Sequence, residues 1–134
     1  MYKVKKTFYV AYAHRLLDYK GKCENLHGHN GLVEVTLKSK TLNREKMVMD
    51  FTELAGIAKK WADENLDHKV ILSKKDPLLK ILRTGGQACY ATDVNPTAEI
   101  LAELIFRVLK RGGLPVSKVA FWETPNSMAA YKEG

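Results

Sequence analysis

Three of the four histidines in this chain, His14, His27 and His29, fall in one stretch, A-H-R-L-L-D-Y-K-G-K-C-E-N-L-H-G-H-N, with Cys23 inside it. Three neutral imidazoles are a common set for holding zinc with one coordination position left open for chemistry. His27 and His29 flank a single glycine. On extended backbone, residues i and i+2 project from the same face, so both rings can reach one ion, and Gly28 adds no side chain between them. His14 then comes from a separate segment. An all-imidazole set also suits copper, iron or nickel, but availability and geometry favour zinc. Cys23 has two readings. Beside a cation its thiolate is a nucleophile or base; as a fourth ligand it closes a structural Cys-His₃ site. His68, the remaining histidine, follows Asp67, and an imidazole held by a carboxylate is a natural general acid or base near neutrality. Such pairs are more often surface residues at a helix end. Glu123 stands beside Phe121 and Trp122, where a carboxylate is costly without a partner, so it reads as an acceptor for a ligand's hydrogen bonds or as a glutamate at a frayed strand end.

The elements that must position these groups follow from periodicity. Residues 2–13 alternate, with Val4, Phe8, Val10 and Tyr12 of one parity leading to His14. Residues 32–38 alternate more clearly, Val33, Val35 and Leu37 against Glu34, Thr36 and Lys38, and His27 and His29 share the apolar parity. Asn43-Arg44 reads as a hairpin turn into a third strand, Lys46 to Met49. Asp50, with Glu53 three residues on, opens a helix whose buried stripe is Leu54, Ile57, Ala58, Trp61 and Ala62. Ser73 to Asp93 reads as a long, partly helical loop. A second helix starts near Asn95-Pro96, carries Ile100, Leu101, Leu104, Ile105, Val108 and Leu109 on its apolar face, and ends at Gly112-Gly113. A last strand runs from Val116 to Thr124. The order predicts an α+β layer, an antiparallel sheet with helices on one face, whose other face and edges need cover from an oligomer.

A length of 134 residues predicts one domain, 1–134, and 46% hydrophobic with 28% charged residues is an ordinary globular composition. No apolar run has transmembrane length and the N-terminus lacks a signal-peptide core, so a cytoplasmic protein is expected. Two cysteines, Cys23 and Cys89, make no disulfide framework in that setting. The formal charge of +7 is spread through strands and helices with no nucleic-acid motif, and suits a small polyanion such as a triphosphate equally well. Arg15, Lys20 and Lys22 lie nearest the histidine motif for that task.

Taken in order, A-H-R-L, C-E-N-L-H-G-H-N, M-D-F, L-D-H, P-T-A-E and W-E-T-P resemble the 6-pyruvoyltetrahydropterin synthase and 6-carboxytetrahydropterin synthase family over Phe8 to Tyr131. The resemblance implies the tunnelling fold: a four-stranded antiparallel sheet with two helices on one face, oligomerising into a barrel as trimers or hexamers with active sites at the interfaces. It implies that His14, His27 and His29 bind zinc, that Cys23 is the catalytic base, and that Asp67 and His68 complete the proton-transfer set. Glu123 would anchor the pterin, with Thr124 and Thr97 helping to line its pocket. The implied substrate is 7,8-dihydroneopterin triphosphate. The three-residue gap between Cys23 and His27 resembles the 6-carboxy branch, which releases acetaldehyde and triphosphate and serves 7-deazaguanine (queuosine-type) synthesis. The runner-up is the 6-pyruvoyl product, and the reading from another class is the structural Cys-His₃ module. Gly31 departs from the family, which often has an aromatic residue after H-G-H-N.

Overall fold

The alternation from Tyr2 onward builds a long strand, β1 (Tyr2–His14), which ends on its histidine. A computed structural model describes residues 1–133. A turn of 3₁₀ helix, Lys22–Glu24, interrupts the loop that follows. The chain then returns as β2 (His27–Ser39), antiparallel to β1 along its whole length. His27 and His29 therefore belong to the regular strand, as their parity predicts. The turn at Asn43 forms as expected: its Oδ1 accepts from Glu45 N and Met47 N, and Lys46 takes φ 66°. No strand follows it. Lys46 to Met49 stays irregular because Asp50 is already the N-cap of α1 (Phe51–Asn65), its carboxylate accepting from Thr52 N and Glu53 N.

The expected four-stranded antiparallel sheet is corrected to six mixed strands. After α1 the chain runs as β3 (Lys69–Ser73) parallel to β1, a crossover that places a helix on the sheet. The stretch read as a loop from Ser73 to Asp93 contains the end of β3, a third helix α2 (Pro77–Thr84) and a strand β4 (Cys89–Thr92). α3 (Ala98–Arg111) precedes β5 (Val116–Thr124), and β6 (Ser127–Lys132) closes the sheet in the order β4-β3-β1-β2-β5-β6. The reason β3 escapes a periodicity reading is plain: Ile71, Leu72 and Ser73 are buried in succession, so the strand shows no alternation.

One face of the sheet, carrying Phe8, Val10, Val33, Val35, Leu37, Val119 and Phe121, packs on Leu54, Ala58 and Ala62 of α1 and on Leu101, Ile105, Phe106 and Leu109 of α3. Ile57, expected in the α1 stripe, is exposed, and Trp61 only borders the core. At the far end of α3, Gly113 at φ 88° makes a left-handed stop, with Gly113 N donating to Lys110 O and Leu114 N to Leu109 O. The three histidines extend the same buried face at the edge of this core, and this fixes their placement.

Candidate active site

The register of β1 and β2 brings the histidines together. His14 lies directly across from His27, and Tyr12 from His29. Ring centroids are 4.7 Å apart for His14 and His27, 5.2 Å for His14 and His29 and 5.0 Å for His27 and His29. One ligand atom from each lies within 4.8 Å of the others, and the three form a group able to hold a metal ion. That group comprises the three histidines without Cys23.

The outer nitrogens reveal which faces point inward. His14 donates from Nδ1 to the Pro96 carbonyl at 2.8 Å, and His27 from Nδ1 to the Asn25 carbonyl at 2.7 Å. Only the protonated Nδ1 can bond a carbonyl, so Nε2 of each carries the free lone pair, the arrangement of a metal-binding imidazole. The Nε2 atoms of His14 and His29 are buried without a hydrogen-bond partner. Burial lowers the pKa of His29 and favours its neutral form. Two buried nitrogens without a hydrogen-bond partner, and tautomers fixed at His14 and His27, fit a divalent cation.

Glu123 joins this cluster from β5. Its Oε2 is 3.3 Å from Nε2 of both His14 and His29. The neighbouring His14, aided by His29 and His27, holds its carboxyl below the usual carboxylate range against the upward push of burial. Strand alternation puts Thr124 on the opposite face from Glu123, the same face as Trp122. Thr124 lines a groove with Tyr9, Asn30, Leu32, Glu34, Trp122 and Pro125, side chains of the opposite parity on β1 and β2. Thr97 is the N-cap of α3, its hydroxyl accepting from Ile100 N at 3.2 Å. It stands next to Pro96, whose carbonyl orients His14.

Cys23 sits half-buried on the 3₁₀ turn, and its carbonyl accepts from Leu16 N at 2.9 Å. That bond folds the loop back, so Cys23 is tied two residues from His14 and four from His27. Asp67 and His68 are placed by β1 from its other side. Asp67 Oδ1 accepts from Ala11 N at 2.8 Å, and His68 N donates to Ala11 O. His68 has φ 57° and donates from Nδ1 to Asp67 Oδ2 at 2.8 Å. Burial raises the Asp67 pKa, but the Ala11 N–H and His68 outweigh it and bring the net value down. The carboxylate is ionised and orients an imidazole whose side chain is 82% exposed.

Some residues of the site escape a reading of the sequence. Asn95 clamps the loop after His14, its Oδ1 accepting from Leu17 N and its Nδ2 donating to Leu17 O, both at 2.8 Å. Arg15, a candidate triphosphate contact, forks onto the buried Asp76, with Nε 2.7 Å from Oδ2. Asp76 also caps α2 by accepting from Leu78 N. Asn95-Pro96 reads as a helix start, but nothing in the sequence indicates which distant loop Asn95 or Asp76 would hold.

A sequence profile described as "6-pyruvoyl tetrahydropterin synthase" matches residues 3–134. The chain is 33% identical to the 6-carboxy-5,6,7,8-tetrahydropterin synthase of Haemophilus influenzae across 99% of this chain and all of that protein. It is 38% identical to the protein of the same name from Aquifex aeolicus, across 84% of this chain and 76% of that one. Among solved structures, the Caenorhabditis elegans 6-pyruvoyl tetrahydropterin synthase superposes with a TM-score of 0.74 at 26% identity, covering 99% of this chain and 96% of that one. With the profile spanning nearly every residue and the relatives spanning the histidine cluster, this chain belongs to the 6-pyruvoyl tetrahydropterin synthase family.

Proposed function

We propose that this chain converts 7,8-dihydroneopterin triphosphate to 6-carboxy-5,6,7,8-tetrahydropterin, releasing acetaldehyde and triphosphate. The observation that carries the reading is the three-histidine cluster with inward Nε2 atoms, in a chain 33% and 38% identical to two proteins named for that product. In this reading His14, His27 and His29 hold zinc, whose Lewis acidity, when it is bound, acidifies the C–H and O–H protons of the substrate side chain.

The chain's own side chains do the rest. Glu123 is ionised, and its carboxylate, with Oε2 against the histidines, accepts from the N–H donors of the pterin's guanidine-like edge. Cys23, whose carbonyl is bound by Leu16 N two residues past His14, is the base for the side-chain protons. His68, oriented by Asp67, moves a proton on the other side. Thr97 contributes through the α3 cap and Thr124 from the adjoining strand end. An imidazole as open as His68 needs a second subunit over it to keep water out. The helix-free face, with Tyr9 exposed and Leu32 and Trp122 half-exposed, and the edge strands β4 and β6 offer surfaces for that subunit. We read the assembly as a trimer or hexamer acting in the cytoplasm. Among the described residues, no helix is long and apolar enough to cross a membrane.

The test of the residue roles is Cys23→Ala. It keeps the fold and one metal per chain, while turnover of 7,8-dihydroneopterin triphosphate drops by about 10²-fold or more. Full turnover would remove Cys23 as the base, and loss of the metal would favour a Cys-His₃ structural site.

A further inference from the structure

Tyr12 lies on the floor of the histidine cluster and has no part in the chemistry above. Its side chain is 5% exposed, and its hydroxyl is buried without a hydrogen-bond partner. The ring meets His14 edge-on at 5.1 Å, tilts against His29 at 5.6 Å and meets Phe121 edge-on at 5.4 Å. Gly31 makes this possible. A Cβ there would come within 3.0 and 3.1 Å of the Phe121 ring and 3.2 Å of Tyr12. The absent side chain on β2 is the space in which two rings from β1 and β5 meet.

A phenol could fill that space as a phenylalanine does, and a ring would then suffice. The hydroxyl is what needs explaining, because burying an unpaired O–H costs free energy that a phenylalanine would not incur. The Tyr12 ring lies against His14 and His29, the same two imidazoles that Glu123 touches, so phenol and carboxylate share one cluster, and a neutral phenol carries a proton to donate. Glu123 in turn touches His14 and His29 through one oxygen, Oε2.

We infer that Tyr12 is a positioning residue for Glu123: its hydroxyl donates to the carboxylate and fixes which oxygen faces the histidines and which faces the pterin. The inference rests on the reading of Glu123 as the pterin anchor. It makes Tyr12 and Gly31 a matched pair, one supplying the donor and the other the room for it.

The test uses the zinc-loaded full chain and Tyr12→Phe, which keeps the ring and its contacts. Neopterin, followed by protein fluorescence, is expected to bind about tenfold more weakly to Y12F, the loss of one hydrogen bond to a charged group. KM for 7,8-dihydroneopterin triphosphate should rise in step with little change in kcat, the mark of lost binding common to ground and transition states. The visible spectrum of the cobalt-substituted protein should not change, because the histidines are untouched. Unaltered neopterin affinity and KM would overturn the inference. So would a changed cobalt spectrum, since Tyr12 would then act on the metal ligands. A crystal structure of the zinc-loaded wild type decides the contact without any pterin: Tyr12 Oη at about 2.5–3.0 Å from a Glu123 oxygen supports it, and a separation beyond about 3.5 Å sinks it. Failure of the wild type to bind neopterin would count against the proposed function, and the crystallographic distance would still judge Tyr12.

Discussion

Asp76 ties the segment after His14 to the outer strands, and replacing it tests how firmly the site is held. Its side chain is fully buried and accepts from Arg15 Nε and Nη2 and from Leu78 N. Asp76→Asn preserves a capping oxygen for α2, since Asn and Asp are comparable N-caps, so the cost is that of the ion pair alone. Breaking a buried pair costs about 3–5 kcal/mol, but Arg15 is 27% exposed and regains water, which brings the expectation to about 2–3 kcal/mol. For a chain of this size that corresponds to roughly 6–10 °C in Tm, read by thermal denaturation. The pH dependence carries an independent sign. Arg15 holds the Asp76 carboxyl below its usual range, so its contribution is fully present above the unfolded value of about 3.9 and is lost as pH falls through the lower folded value. The gap between wild type and D76N should stay constant from neutrality to about pH 5 and close only in stronger acid. A variant within about 0.5 kcal/mol of wild type at pH 7, typical of an ordinary surface change, would refute the clamp.

Three further expectations concern the site. Chelation should leave the sheet folded but lower Tm, and metal content should fall as pH drops below about 6.5, where free imidazoles take up protons. In the chelated protein the lowered pKa of His29 means that unfolding takes up a proton, so stability present above about pH 6.5 should decline below it, measurable by urea titration at stepped pH. Thr97→Ala should cost about 1 kcal/mol through the lost α3 cap, and Thr97→Ser should restore it; equal melting of T97A and wild type would remove the cap.

The histidine cluster was legible because it depends on local periods. His27 and His29 share a face by strand alternation, and the parity of Phe8, Val10 and Tyr12 carried forward to His14; the register then brought them opposite one another. Asp50, Pro77 with Asp76, and the Gly112-Gly113 stop are equally local, and the first and last fixed helix ends from sequence. What escaped depends on distant partners. β3 is buried on consecutive residues, and β6 pairs through small side chains, Ala129 and Ala130, with no apolar alternation to mark it. Asn95 to Leu17 and Arg15 to Asp76 span more than fifty positions each, so residue type alone could not assign them. Thr97, read as a pocket residue, also caps a helix with its hydroxyl, a local role that the N-P-T-A-E string permits.

The central claim is the reaction, and product analysis tests it most directly. Zinc-loaded protein incubated with 7,8-dihydroneopterin triphosphate should yield, by mass spectrometry, 6-carboxy-5,6,7,8-tetrahydropterin with one equivalent of acetaldehyde. A 6-pyruvoyl product without acetaldehyde would contradict the assignment while leaving the same side chains at work, and unchanged substrate would contradict the enzymatic reading itself.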